Sequence, residues 1–97
     1  MFELYQAEWC PHSAKVRQRL TELGVDFVAR QVEADADDRN ALRERTGCEE
    51  LPVLVLEDGR AIGGDEEILR FLDSVCDEAP DADTHRAKAL EKAGLPP

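Results

Sequence analysis

Phe2-Glu3-Leu4-Tyr5-Gln6-Ala7-Glu8-Trp9-Cys10-Pro11-His12-Ser13 joins a short apolar segment to a helical pattern that runs on to Leu23. Phe2 to Gln6 carry apolar side chains on both faces of an extended chain, as at the centre of a covered sheet. Pro11 stands where a first helical residue tolerates proline, because its missing N–H would have had no intrahelical partner. Cys10 therefore falls at a strand-to-helix junction. There it meets the first helical N–H groups and the positive end of the helix dipole, and both favour thiolate over thiol. Thiolate is the nucleophilic form, so the position points to sulfur chemistry. The plainer alternative is a buried structural cysteine packing as a small hydrophobe; Pro11 and the polar neighbours favour the reactive reading.

Outward from this junction, Val16, Leu20 and Leu23 recur at helical spacing, with Lys15, Arg17, Arg19 and Glu22 as the wet face and Gly24 as the stop. A second strand is expected from Val25 to about Val32. Asp35 or Asp37 can cap a second helix that runs to Thr46 and ends at Gly47, with Ala41 and Leu42 as its buried stripe. Leu51 to Leu56 is an apolar run entered through Pro52, hence a third strand. Asp58-Gly59 signals a two-residue hairpin, so Arg60 to Ile62 should return antiparallel. Gly63-Gly64 breaks the pattern before a third helix. That helix opens on Asp65-Glu66-Glu67, as the dipole prefers, and carries Ile68, Leu69, Leu72 and Val75 onto the sheet.

The order βαβ then ββα predicts an α/β fold with one four-stranded mixed sheet flanked by helices. Residues 1–76 form that domain. Residues 77–97 read as an acidic linker and a short C-terminal helix or tail, with helix from Thr84 to Ala93 and few large apolar residues, so it should dock weakly or fray.

The chain has 97 residues and a net charge of −10, which excludes nucleic acid and an anionic membrane surface as partners. No apolar run approaches a membrane span, and the first residues lack the basic flank and apolar stretch of a signal peptide, so a cytoplasmic monomer is expected. Acid excess with Arg preferred to Lys also suits solubility in high salt. Three widely spaced cysteines do not form a disulfide framework and fit a reducing compartment.

Within the motif, His12 either bonds the sulfur, adding positive charge when protonated, or faces solvent. Ser13 cannot act as a resolving thiol but can donate a hydrogen bond to a thiolate. A redox cycle then needs an external thiol, or Cys48 or Cys76, as the resolving group. Both of those cysteines read as packed or idle. Pro52 is either an ordinary strand-entry residue or a cis-proline that frees the N–H of Leu51 or Val53 for a ligand. Gly63-Gly64 before an acidic helix start allows close backbone approach, with N–H groups that suit a carboxylate.

Taken together, Cys10-Pro11-His12-Ser13, Leu51-Pro52 and Ile62-Gly63-Gly64-Asp65-Glu66-Glu67 resemble the glutaredoxins of the thioredoxin-like fold, over about Phe2 to Val75. The resemblance implies a single-cysteine thiol-disulfide oxidoreductase. Cys10 attacks the mixed disulfide of glutathione, or of another low-molecular-weight thiol, with a disulfide or glutathionylated protein substrate. A second small thiol then releases the adduct. Catalysis falls by this carry-over to Cys10, Ser13 and His12. The small thiol is held by Pro11, by the backbone of Leu51 beside Pro52, and by Gly64, Asp65 and Glu66. No metal is expected.

The pattern departs from the family at Ala7, where a basic residue is usual, at His12, where an aromatic is usual, and at Glu50, where a small hydroxyl residue is frequent. Glu8 and Glu50 add charge that disfavours an anionic thiol. The chain is similar also to the amino-terminal domain of glutathione S-transferases, but transferase activity needs a helical second domain that the residues after Val75 do not supply. Two further readings are a non-catalytic thiol-binding or protein-docking module and, last, an iron–sulfur cluster carrier, whose relatives have glycine where Pro11 stands.

Overall fold

Leu4, Tyr5 and Gln6, all buried, form the inner half of β1 (Phe2–Gln6), the strand on which the sheet is built. The structure, a computed structural model, describes residues 1–94. β1 continues into α1 (Pro11–Leu23), and β2 (Phe27–Gln31) returns parallel to β1 with Leu4 opposite Ala29. A single 3₁₀ turn (Ala36–Asp38) precedes α2 (Asn40–Thr46). β3 (Val53–Val55) runs antiparallel to β1, with Leu54 opposite Leu4, and pairs in turn with β4 (Ala61–Gly63). α3 (Asp65–Val75) and α4 (Ala82–Lys92) complete the chain. The strand order β2-β1-β3-β4 makes the expected four-stranded mixed sheet with its helices.

Alternation along β1 and β3 divides the core between the two faces of the sheet. On one face Leu4 and Leu54 meet Val16, Leu20 and Leu23 of α1 and Ile68 and Leu72 of α3. On the other Tyr5 and Val53 are covered by Leu42 of α2. α1 stops at Gly24, whose φ of +67° suits glycine. The Gly24 N–H donates to Thr21 O at 3.0 Å and the Val25 N–H to Leu20 O at 2.9 Å, so two orphan carbonyls are paired.

Several local expectations are revised. The second strand is confined to Phe27–Gln31, and the third to Val53–Val55. The second helix is interrupted at Arg39, which is buried while its guanidinium donates to Glu33 O at 2.9 Å and Ala34 O at 2.8 Å. Ala41 faces solvent and Leu42 alone is buried in α2. The hairpin closes through three residues, Glu57-Asp58-Gly59, rather than two. The Leu56 N–H donates to Arg60 O at 2.8 Å and the Gly59 N–H to Leu56 O at 3.0 Å, with Gly59 at φ +93°, the geometry of a turn followed by a glycine bulge. Val75 points away from the sheet, 57% exposed, because Phe71 and Cys76 complete that edge of the core.

Glu22, expected on the wet face of α1, is buried. Its cover is α4, which begins at Ala82, two residues earlier than the pattern suggests, and packs on α1 rather than fraying. Arg19 Nη1 donates to Glu22 at 2.8 Å and to Glu78 at 2.6 Å, and Arg86 Nη1 donates to the same two carboxylates at 2.9 and 2.7 Å. The Ala79 N–H donates to Glu22 O at 2.8 Å and ties the linker to the same turn. Of the segment 77–97, residues 95–97 lie outside the described residues.

Candidate active site

Cys10 is the N-cap of α1, with φ −80° and ψ 119°. A turn places it there: the Cys10 N–H donates to Ala7 O at 3.1 Å, and Cys10 O accepts the first helical bond from the Ala14 N–H at 3.0 Å. No side-chain oxygen caps this helix. Cys10 thus occupies the position of a capping hydroxyl, and the nearby amides of His12 and Ser13 favour its thiolate. Ser13 is fully buried, and its hydroxyl accepts from the Ala7 N–H at 3.3 Å.

Burial pushes the Cys10 thiol up. The Ser13 hydroxyl, the N–H groups of Ser13 and His12, and the charge of Arg17 outweigh that burial and hold the thiol below its ordinary range. The sulfur is covered on most sides, the residue being 7% exposed.

Arg17 is a contributor that the sequence pattern assigned to the wet face. It lies two helical turns after Cys10 and folds back to donate to the buried Gln6 side chain and, at 3.4 Å, to Ala7 O. Glu8 lies 3.5 Å from the same guanidinium nitrogen. The spacing Cys10, Ser13, Arg17 along one helix face is the signal that could have found it. Trp9, the residue before Cys10, is 65% exposed.

The His12 imidazole does not serve the sulfur. Its Nδ1 lies 3.1 Å from Asp65 Oδ2, and Lys15 Nζ lies 3.7 Å from the same oxygen. The His12 hydrogen bond, with the nearby Lys15 charge, holds the Asp65 carboxyl below its usual range. This contact brings the starts of α1 and α3 together. Pro11, at the first position of α1, is exposed.

The Leu51–Pro52 peptide bond is cis. Continuing the pairing of Tyr5 with Val53 by one residue sets Pro52 beside Gln6, four residues before Cys10. Pro52 O accepts from the Gly64 N–H at 2.9 Å. Gly64, at φ +87°, is the N-cap of α3, and no side chain caps the amides that follow. Leu51 is half-buried, and Glu66 is exposed on the first turn.

Two side chains crowd the glycine pair. A Cβ on Gly63 would lie 3.1 Å from Cys48 Sγ, and a Cβ on Gly64 would lie 3.3 Å from Glu50 Oε1. Gly47, Cys48, Glu49, Glu50 and Gly63 line an open hollow of about 510 Å³ at this point. Cys48 therefore belongs to the neighbourhood of the site, whereas Cys76 caps the far end of α3 against the core. Among the described residues no group of three or more His, Cys, Asp or Glu gathers as a metal site, and no helix is long and apolar enough to cross a membrane.

The glutaredoxin family model matches residues 2–62. Among solved structures, a glutathione S-transferase from Sinorhizobium meliloti is 30% identical, with a TM-score of 0.68 over 76% of this chain and 32% of its own. A glutathione S-transferase from Methylobacterium radiotolerans, in complex with glutathione sulfonate, is 30% identical with a TM-score of 0.65, covering 74% of this chain and 34% of its own. Glutaredoxin 2 from Salmonella typhimurium, in complex with glutathione, shares the fold at 20% identity and a TM-score of 0.66, over 75% of this chain and 33% of its own. The chain thus spans about a third of the length of each of these proteins. No curated protein matches it.

Proposed function

The chain belongs to the glutaredoxin family, and from that premise we propose that it is a thiol-disulfide oxidoreductase acting through the single sulfur of Cys10. The fold supports glutathione-related thiol chemistry in general. The finer reading is that Cys10 turns over mixed disulfides between a protein and glutathione or another small thiol. One observation carries it: Cys10 stands at the N-cap of α1, over the first amides of the helix and next to the fully buried Ser13, and these neighbours hold its thiol below the ordinary range, an arrangement that favours negative charge before any substrate arrives.

The reaction has two exchanges. The Cys10 thiolate attacks the small-thiol sulfur of the mixed disulfide, a new Cys10 S–S bond forms, and the protein sulfur leaves as thiolate and takes a proton from water. A second small-thiol thiolate then attacks the adduct, the small disulfide departs, and the Cys10 thiolate is regenerated. In net, one free small thiol and the mixed disulfide become the protein thiol and the small disulfide, so the reducing equivalent comes from that one free thiol. Ser13 cannot form a disulfide, so the external thiol resolves the adduct, and Ser13 bonds the thiolate in both its resting and leaving roles. The backbone at Leu51 and Pro52, with Gly64, Asp65, Glu66 and Pro11 around it, forms the wall along which the small thiol lies. The test is reduction of the mixed disulfide of glutathione with 2-mercaptoethanol. Wild type turns it over and Cys10→Ser falls to background; equal rates in the two proteins overturn the proposal.

A second reading, a thiol-binding module without turnover, is favoured by the near-complete cover of Cys10. It predicts an adduct that forms on Cys10 but is not released by excess small thiol.

A further inference from the structure

We infer that Glu50 sets the specificity of this site, favouring small disulfides whose far end is neutral or cationic over those that end in a carboxylate. The inference rests on the assignment of Cys10 as the reacting sulfur. Cys10 precedes the start of α1, which the His12–Asp65 contact at 3.1 Å holds against the start of α3, so a small molecule joined to the sulfur has α3 as a neighbour. Its free end then reaches Gly64 and the uncapped amides of the first turn of α3. By themselves those amides would welcome a carboxylate.

Glu50 changes that preference, because its own carboxylate rests against Gly64, within 3.3 Å of where a side chain there would begin. Glu49 and Glu50 also line the hollow of about 510 Å³ into which the ligand's end would extend. The cations around the thiol are already committed, Lys15 to Asp65 and Arg17 to Glu8. An arriving carboxylate therefore meets a like charge without a free cation to offset it, whereas an ammonium meets two acids.

The experiment reacts the reduced protein, at low salt, with three small disulfides of similar size: 3,3′-dithiodipropionate (anionic), hydroxyethyl disulfide (neutral) and cystamine (cationic). The rate of adduct formation on the Cys10 peptide is read by mass spectrometry. Dividing each rate by that for hydroxyethyl disulfide removes any general change in thiol reactivity. Wild type should favour cystamine over 3,3′-dithiodipropionate by about tenfold. Glu50→Gln should shrink that ratio severalfold, while Glu91→Gln, which removes the same charge from exposed α4, should not. Normal hydroxyethyl adducts with an unchanged ratio in Glu50→Gln overturn the role of Glu50 alone. A Cys10 that forms an adduct with none of the three overturns the assignment of the reacting sulfur as well.

Discussion

Ser13 holds the position at which a two-cysteine relative would carry its second thiol, and its hydroxyl is fixed from behind by the Ala7 N–H. That donor leaves the hydroxyl proton free to point at sulfur, so removing the oxygen should raise the Cys10 pKa. Ser13→Ala is expected to move the midpoint of iodoacetamide alkylation upward, because the hydroxyl is one of the groups that favour the thiolate. Wild type should show its midpoint below the ordinary thiol value of 9.0. The sign follows: at pH 7 the variant holds less thiolate and reacts more slowly, while well above both midpoints the two rates converge. The loss at pH 7 is smaller than the loss of thiolate, because a more basic sulfur is the better nucleophile. Arg17→Gln should shift the midpoint the same way by less, since its charge is shared with Glu8.

At the scale of elements, the joint between α1 and α4 is the feature with the most at stake. Burial pushes the Glu22 carboxyl up, but Arg19, Gln18 and Arg86 outweigh it and hold the group below its usual range. Glu22→Gln removes the charge while two guanidinium groups stay in place. A stability loss of about 1–3 kcal/mol is expected as a lower urea midpoint, with earlier proteolysis between residues 77 and 94. Glu78, hydrogen-bonded by Arg86 and Arg19, is pushed down to about 2. Both carboxyls are depressed in the folded state, so their contribution is full above the ordinary value of 4.5 and is lost as pH falls towards 2. Corrected for the intrinsic rate at each pH, the protection of amides in α4 should fall over that window before it does in α1.

This joint was also the least legible part of the sequence. Glu22 reads as solvent-facing on an isolated helical wheel, and only a second helix makes it an interior group. Arg39 and Arg17 were hidden by the same logic, being long cations whose partners are carbonyls or side chains distant in the chain. Punctuation was legible where one residue decides the backbone: Gly24, Gly47 and Pro52 stand where their chemistry indicated. Asp58-Gly59 marked the turn correctly, but not the extra residue in the loop.

Across the whole molecule, a net charge of −10 sits on a fold of 97 residues. Salt weakens the many exposed ion pairs, but it also screens the self-repulsion of the uncompensated acids, which acts over a longer range. Thermal unfolding should therefore move upward by several degrees between about 0.05 and 1 M NaCl; a falling midpoint would mean that the pairs dominate. Trp9 is the chain's single tryptophan, and it adjoins the thiol with most of its indole in water. All long-wavelength ultraviolet emission of this protein thus originates beside its sulfur. Adduct formation should change the brightness or colour of that emission, so turnover can be followed in a stopped-flow fluorimeter without attaching a dye.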